Sequence, residues 1–296
     1  MRKRNRNARK IRKNIVFYVI LIAVLAVLVF PMIMMLSISL KETSETIGYP
    51  PTIIPRSFTL KHFADIFNES IFPFMKYFKN SMYIALITSV LVVFLGILGG
   101  YALARLRFKG KNVMTEMFFF VYMFSGILLI VPLYKMLASI GLRNTREAVI
   151  ICMIIQTLPT AIYMTRSYFE TVPYELEEAG RVDGLSRMGI IFRIMTPLSI
   201  PGLISVFVYA FMIAWNDVLF ASIFLDSPDK LTITIGLNSL FNTPDYIWGR
   251  MMAASLVTSL PIVIMYAFSQ NLIKSGATET GRGRVVMRAK AEIETH

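Results

Sequence analysis

The sequence has little of what metal and thiol sites require. Cys152 is its single cysteine, and His62 and His296 are its two histidines. One thiol excludes an intrachain disulfide, and no His/Cys cluster has metal-ligand spacing. Charge is scarce as well, at 17% of residues against roughly a quarter in ordinary soluble proteins, too little to cover a water-exposed surface. No G-x-x-x-x-G-K-[ST] loop is present. The FKGKN stretch Phe108–Asn112 lacks both the upstream glycine and the Ser/Thr, so this chain does not cradle ATP phosphates by that route. Ion-coupled carriers place Asp, Glu, His or Arg inside the bilayer to bind their ion, yet the apolar runs here are almost free of such groups. Glu116 lies at an edge. Asp217 falls about 28 Å along a continuous helix from Leu198, near the far end of a span. No paired carboxylates and no nucleophile–His arrangement point to an enzyme. The expectation is a non-catalytic chain with no metal and no cofactor of its own.

What is present is apolar. Hydrophobic residues make up 55% of 296, and a helix needs about 20 such residues to cross the hydrocarbon core. Six runs qualify: Ile15–Ser37, Ser81–Leu103, Met117–Tyr134, Ala148–Tyr168, Leu198–Leu225 and Met251–Ile273. The fourth is interrupted by Gln156, Pro159 and Thr160, and the fifth is the longest. The first run follows a basic head, as secretory signals do. Its apolar core exceeds the 7–15 or so residues of a signal and no small-residue cleavage site follows, so an uncleaved span is expected. The domain reading is a basic N-terminus over 1–14, a six-span domain over 15–273 and a tail over 274–296, the polar Arg282–His296 part of which reads as disordered.

The formal net charge of +13 raises the question of nucleic acid, and its distribution answers it. Eight basic residues precede the first run, four lie at Arg105–Lys111, four are Arg166, Arg181, Arg187 and Arg193, and five are Lys274, Arg282, Arg284, Arg288 and Lys290. In a six-span topology all of these fall on one side, twenty-one of the thirty-one Lys and Arg. The positive-inside rule makes that side the cytoplasm and places both termini there. Topology and anionic lipid account for the excess without a nucleic-acid partner.

A charged island then stands out between the fourth and fifth runs: ELEEAGRVDGLSRMGIIFRIMTPL, Glu175–Leu198, with seven charged residues. Pro173 opens a helix. Glu175, Glu177 and Glu178 occupy its N-terminal turns, where the macrodipole favours anions. Glu177 and Arg181 are spaced to pair at i,i+4, and Leu176, Ala179 and Val182 make a narrow apolar face. Asp183-Gly184 is a turn signal, Ser186 an N-cap for a second helix, and Pro197 a break into the fifth span. Ala179 and Gly180 leave room for another surface to approach. By pattern alone, docking to a protein and lying on the inner leaflet are balanced readings, although lipid-surface helices are typically Lys/Arg-rich and this one begins acidic.

The spaced residues Glu178, Ala179, Gly184, Ile194 and Pro197 resemble the E-A-A-x3-G-x9-I-x-L-P signature of permease subunits in binding-protein-dependent ABC importers. Gly180 stands where the signature has its second alanine and Thr196 where it has leucine. Glycine in place of alanine loosens a helix by about 1 kcal/mol. The stretches Gly99–Lys111, Val131–Thr145, Ala214–Leu225 and Trp248–Val263 are similar to segments of the carbohydrate-uptake subgroup, especially the shorter permease of maltose-type systems. The resemblance covers roughly residues 10–280. It implies an all-α membrane protein of the type I ABC importer permease fold, with six transmembrane helices in the bacterial inner membrane and a cytoplasmic coupling helix between spans four and five, in a loop of about 170–197. It further implies a second related permease chain, two ATP-binding subunits that carry ATP and Mg, and an extracytoplasmic solute-binding protein. Glu178, Ala179 and Gly184 are then the docking core, with Gly180, Arg181, Asp183, Ile194 and Pro197 around it.

For the solute path, the hydrogen-bonding and aromatic candidates are Ser125, Gln156, Thr160, Trp215, Asn216, Asp217 and Ser222. Each has a plain alternative, since Ser and Thr bond helix backbones in membranes and Trp belongs in an interfacial belt. Asn216-Asp217 also suits an external gate, and the paired permease supplies the sugar contacts in some family members. On the outer side, Phe63, Ile66 and Phe67 are spaced to pack on lipid or the partner permease, while the polar loop Asp226–Gly249, with Asp226, Asp229 and Asp245, is suited to reach upward to the binding protein. Import of another solute such as polyamine or phosphate is the alternative within the family; an ion-coupled carrier or channel is the alternative outside it.

Overall fold

A computed structural model describes residues 2–123, 126–240 and 247–270. Among them the regular structure is helical, with a single antiparallel β-bridge between Lys41 and Phe58. Ser125, Asp245 and the tail from 271 onward lie outside the described residues.

The helices are α1 (Arg2–Ser39), α2 (Thr43–Thr46), α3 (Lys61–Phe67), α4 (Phe74–Arg105), α5 (Lys111–Met123), α6 (Gly126–Ser139), α7 (Arg146–Glu170), α8 (Tyr174–Val182) and α9 (Arg187–Ile190). A π-helical turn, Ile191–Met195, leads to α10 (Thr196–Leu198), α11 (Ile200–Trp215), α12 (Leu219–Phe224) and α13 (Ile233–Ser239), and α14 follows as Trp248–Gln270. Among the described residues four helices are long and apolar enough to cross a membrane, namely Lys13–Ser39 of α1, α4, α7 and α14. They match the first, second, fourth and sixth apolar runs of the sequence.

Two runs depart from the one-run, one-helix expectation. The third is divided between α5 and α6. The fifth ends as a helix at Trp215, and α12 begins anew at Leu219, so the distance along a continuous helix from Leu198 to Asp217 does not apply. At the other end of that run, α11 turns 85° from Arg187–Leu198. The bend sits at Ser199, between Pro197 and Pro201, where each ring removes a backbone donor.

The described residues form two packed units, one within Met1–Phe74 and Ser239–Thr258, the other within Met75–Asn238 and Ser259–His296. In the first, the Glu45 carboxylate accepts from Thr52 Oγ1 at 2.6 Å and from the Arg56 and Ser57 amides at 3.0–3.2 Å. One acid thereby organises a loop rich in proline. α3 turns His62 and Ile66 inward and leaves Phe67 exposed. His62 lies against Gly249, where a Cβ would sit 2.2 Å from Nε2, and Asp65 pairs with Arg250 at 3.3 Å.

In the second unit α7 is the centre, with eleven of its 25 residues buried. Small residues let neighbours close on it. A Cβ on Gly100 of α4 would stand 2.8 Å from the Thr165 side chain and 3.0 Å from the Arg166 amide nitrogen, and one on Gly202 of α11 would stand 2.2 Å from the Tyr168 ring. Polar side chains inside this packing donate to their own helix: Thr157 to Met153 O at 2.7 Å and Thr165 to Ala161 O at 2.8 Å. Cys152 is buried on the same helix.

Candidate functional site

The charged island folds as α8, a turn, α9 and the π-helical segment. The α8 helix ends in a Schellman motif: Gly184 N donates to Arg181 O at 3.0 Å and Leu185 N to Gly180 O at 2.9 Å. Gly184 takes φ +81° with open space around it, so glycine is needed there for its backbone and not for lack of room. Ser186 then caps α9, its Oγ accepting from Gly189 N at 3.2 Å. The turn and the cap stand where Asp183-Gly184 and Ser186 signal them.

The two faces of α8 differ sharply. Inward lie Glu177 and Gly180, both buried. Outward lie Glu178, Ala179 and Val182, the last 87% exposed, with Glu175, Arg181 and Asp183 beside them. The room at Gly180 is not free for an incoming surface. A Cβ there would lie 2.5 Å from Ile194 Cδ1, so the chain fills that space itself. Gly180 and Ile194 are thus packing partners within the loop, next to a core of Ile190, Ile191, Met195, Phe169 and Tyr101. Of the other signature positions, Gly184 shapes the turn, Pro197 is exposed on α10, and Glu178 and Ala179 form the surface.

Glu177 is 0% exposed, and the sequence contains no sign that this acid, of three in the same turns, is the buried one. Its Oε1 accepts from Tyr101 Oη at 2.7 Å and from Arg181 Nη2 at 2.6 Å. Its Oε2 lies 3.4 Å from Arg105 Nε, an ion pair without hydrogen-bond alignment. Arg105 also donates through Nη2 to Phe169 O, at 2.9 Å, and to Val172 O, satisfying carbonyls left over at the end of α7. The guanidinium groups of Arg105 and Arg181 each stand 5.7 Å from the centre of the Tyr174 ring. The expected Glu177–Arg181 pair is present, and the Arg181 guanidinium binds its proton more tightly than usual because of the bond to Glu177. Tyr101 and Arg105, four residues apart at the end of α4, are the signal in the sequence that belongs to this site.

The candidates for a solute path are not collected on one wall. Trp215 is 1% exposed, its ring stacked 5.5 Å from Phe211 and edge-on 5.3 Å from Phe78. It is a core residue with no face left for a sugar. Asn216 Nδ2 and Ser222 Oγ donate to Met212 O and Leu219 O of their own helices. Asp217 caps α12, accepting from Phe220 N at 3.3 Å and Ala221 N at 2.8 Å, and this employs both carboxylate oxygens. Gln156 is exposed on α7. One turn on, Thr160 lines a cavity of about 530 Å³ with Phe118, Pro159, Ile162 and Tyr163, and its hydroxyl reaches no partner among the described residues.

The start of the polar loop after α12 is pinned down and does not stand free. Asn144 Oδ1 accepts from the Asp226 and Ser227 amides, Lys230 Nζ donates to Asn144 O at 2.7 Å, and Asn80 Nδ2 donates to Asp229 O and Leu231 O. These bonds go to the backbone, so the Asp226 and Asp229 side chains stay exposed.

Residues 93–275 match the family described as binding-protein-dependent transport system inner membrane component. An inner membrane ABC transporter permease protein of Escherichia coli K12, YcjP, is 58% identical over 265 residues, 90% of this chain and 95% of that protein. The trehalose/maltose transport system permease protein MalG of Thermococcus litoralis is 31% identical over 270 residues, 91% and 96%. Among solved structures, a bacterial ABC transporter that imports the polysaccharide alginate superposes with a TM-score of 0.74 at 20% identity, over 87% of this chain and 95% of that one. At that identity the likeness is one of fold.

Proposed function

The chain belongs to the family of binding-protein-dependent transport system inner membrane components, and we propose that it moves a sugar or oligosaccharide inward, driven through α8 by an ATP-binding subunit on another chain. It is an ABC importer permease. The two-sided α8 carries the proposal about its drive. A helix sealed on one face by Glu177 and Gly180, and left open on the other at Glu178, Ala179 and Val182, is built to be held from within and touched from outside. The carbohydrate cargoes of the relatives support the substrate class.

Six crossings follow if α5 with α6 makes the third and α11 the fifth. The Lys/Arg distribution then puts α8 and both termini in the cytoplasm. The partners in this reading are a second related permease, two ATP-binding subunits that hold ATP and Mg, and a solute-binding protein outside. Nucleotide closes the ATP-binding subunits and displaces α8, and the spans exchange inward-open for outward-open. ATP drives that exchange only as far as it binds the two states differently.

Glu178→Lys tests the docking face. Membrane insertion stays normal. Retention of the ATP-binding subunit on tagged permease and uptake of labelled maltose and trehalose fall at least tenfold, equivalent to about 1.4 kcal/mol of docking energy. Normal retention and uptake would remove α8 from this role.

A further inference from the structure

Glu177 is buried more deeply than its neighbours require. Replacing a buried ion pair with well-packed apolar residues is often neutral or stabilising, so stability alone does not call for a carboxylate at the base of α8. What the carboxylate does is geometric. It takes one bond from Tyr101 of α4, one from Arg181 of its own helix, and the charge of Arg105. Arg105 in turn holds the Phe169 carbonyl in the last turn of α7 and the Val172 carbonyl in the link to α8. The link Thr171–Pro173 between α7 and α8 is thereby spanned on both sides by a single α4 side chain.

We propose that Glu177 is a positioning residue: through Tyr101 and Arg105 it locks α8 to the ends of α4 and α7, so that a displacement of α8 is delivered to those helices instead of being absorbed at Thr171–Pro173. The inference rests on α8 being the helix that the ATP-binding subunit moves. A hydrophobic residue at 177 packs equally well but slides, because dispersion contacts have no preferred direction. Two donors on one carboxylate oxygen and a guanidinium charge beside the other fix both distance and angle. Small shifts at such a site become discrete movements of whole elements because packed cores do not deform continuously. Glu178, exposed one position on, has no part in this lock, so docking and transmission are assigned to adjacent acids on opposite faces of one helix.

The test measures the lock directly. Spin labels are placed at Val90→Cys on α4 and Glu175→Cys on α8, both exposed positions, in a Cys152→Ala background. The full complex with its ATP-binding subunits is measured without nucleotide and with ADP-vanadate. In the otherwise native chain the label separation changes by less than about 2 Å between the two states, within ordinary interface shifts. In Glu177→Gln the separation changes by more than that, or its distribution broadens at least twofold in one state. Tyr101→Phe, which keeps its ring against Phe169, gives the same change, and the double variant adds little, as expected for residues in one network. A purely stabilising role leaves the nucleotide dependence of the distance unmoved. If Glu177→Gln does not assemble, Tyr101→Phe decides by the same criterion. Variant distributions that superimpose on the native ones in an assembled complex overturn the inference alone. A native permease that retains no ATP-binding subunit overturns the reading of α8 and the inference with it.

Discussion

The imidazole of His62 donates from Nε2 to the Lys41 carbonyl at 2.9 Å, and its Nδ1 has no partner among the described residues. Protonation would add a second buried N–H near the positive charges of Lys61 and Arg250. Burial therefore holds its pKa below the ordinary value, with the Lys41 carbonyl and Asp65 acting the other way. In the unfolded chain His62 takes a proton near pH 6.5, and in the folded chain only at lower pH. Above that value the group is neutral in both states and contributes nothing. As pH falls below it the unfolded state binds more protons, so stability is lost. Amides of residues 58–67 are expected to exchange faster at pH 5.5 than at pH 7.5 after correction for intrinsic rates, and His62→Gln, which keeps a donor near Nε2, loses the difference. Equal protection at both pH values would remove the burial argument. The spacing of Phe63, Ile66 and Phe67 suggests a face for lipid or the partner permease; Ile66 instead turns inward with His62, and Phe67 stays exposed. His62 lies against Gly249, almost two hundred residues away, where a Cβ would meet the ring.

At the scale of elements, α8 shows which signals are local. Proline at the entry, Gly184 at the exit, Ser186 beyond it and the Glu177–Arg181 spacing are all satisfied within a few residues, so each is legible in the sequence. Which glutamate faces inward is not. Glu175, Glu177 and Glu178 are alike as text, and only the arrival of Tyr101 and Arg105 from α4 distinguishes them. The glycines of α4 behave likewise. A GxxxG spacing, Gly96 to Gly100, occurs in the second apolar run, and the structure supplies its partner, the Ala161–Arg166 stretch of α7. Gly100→Val is expected to force these helices apart against the Arg166 backbone. Overpacking of this kind costs about 1–3 kcal/mol, and it is measured as a lower midpoint of thermal unfolding in detergent. Gly110→Val, where nothing lies within 4 Å of a Cβ, is no control because its φ is positive, whereas Gly126→Ala, with its nearest neighbours at 3.5 Å, is a fair one. Equal losses from Gly100→Val and Gly126→Ala would show that the α4–α7 approach is not what the glycine serves.

For the whole molecule, the distribution of Lys and Arg predicts α8 in the cytoplasm and the loop after α1 outside. Tyr49 in that loop is 96% exposed and Val182 on α8 is 87% exposed. In a Cys152→Ala chain expressed without ATP-binding subunits, a membrane-impermeant maleimide is expected to label Tyr49→Cys in spheroplasts, and Val182→Cys only in inverted vesicles. Labelling of both from one side would invalidate the topology.

The sequence alone determined that this protein lives in a bilayer, that it carries no G-x-x-x-x-G-K-[ST] loop and no His/Cys cluster of metal-ligand spacing, and that a charged helix–turn–helix separates its fourth and fifth apolar runs. Those properties depend on composition and on contacts within a few residues. The tertiary structure decided that Trp215 is core, that Asp217 is a cap, that the fifth run breaks at Ser199 and again after Trp215, and that Glu177 is the acid holding α8 to α4 and α7. Each of these depends on what a distant segment brings to the same place, and a hydropathy pattern has no term for that.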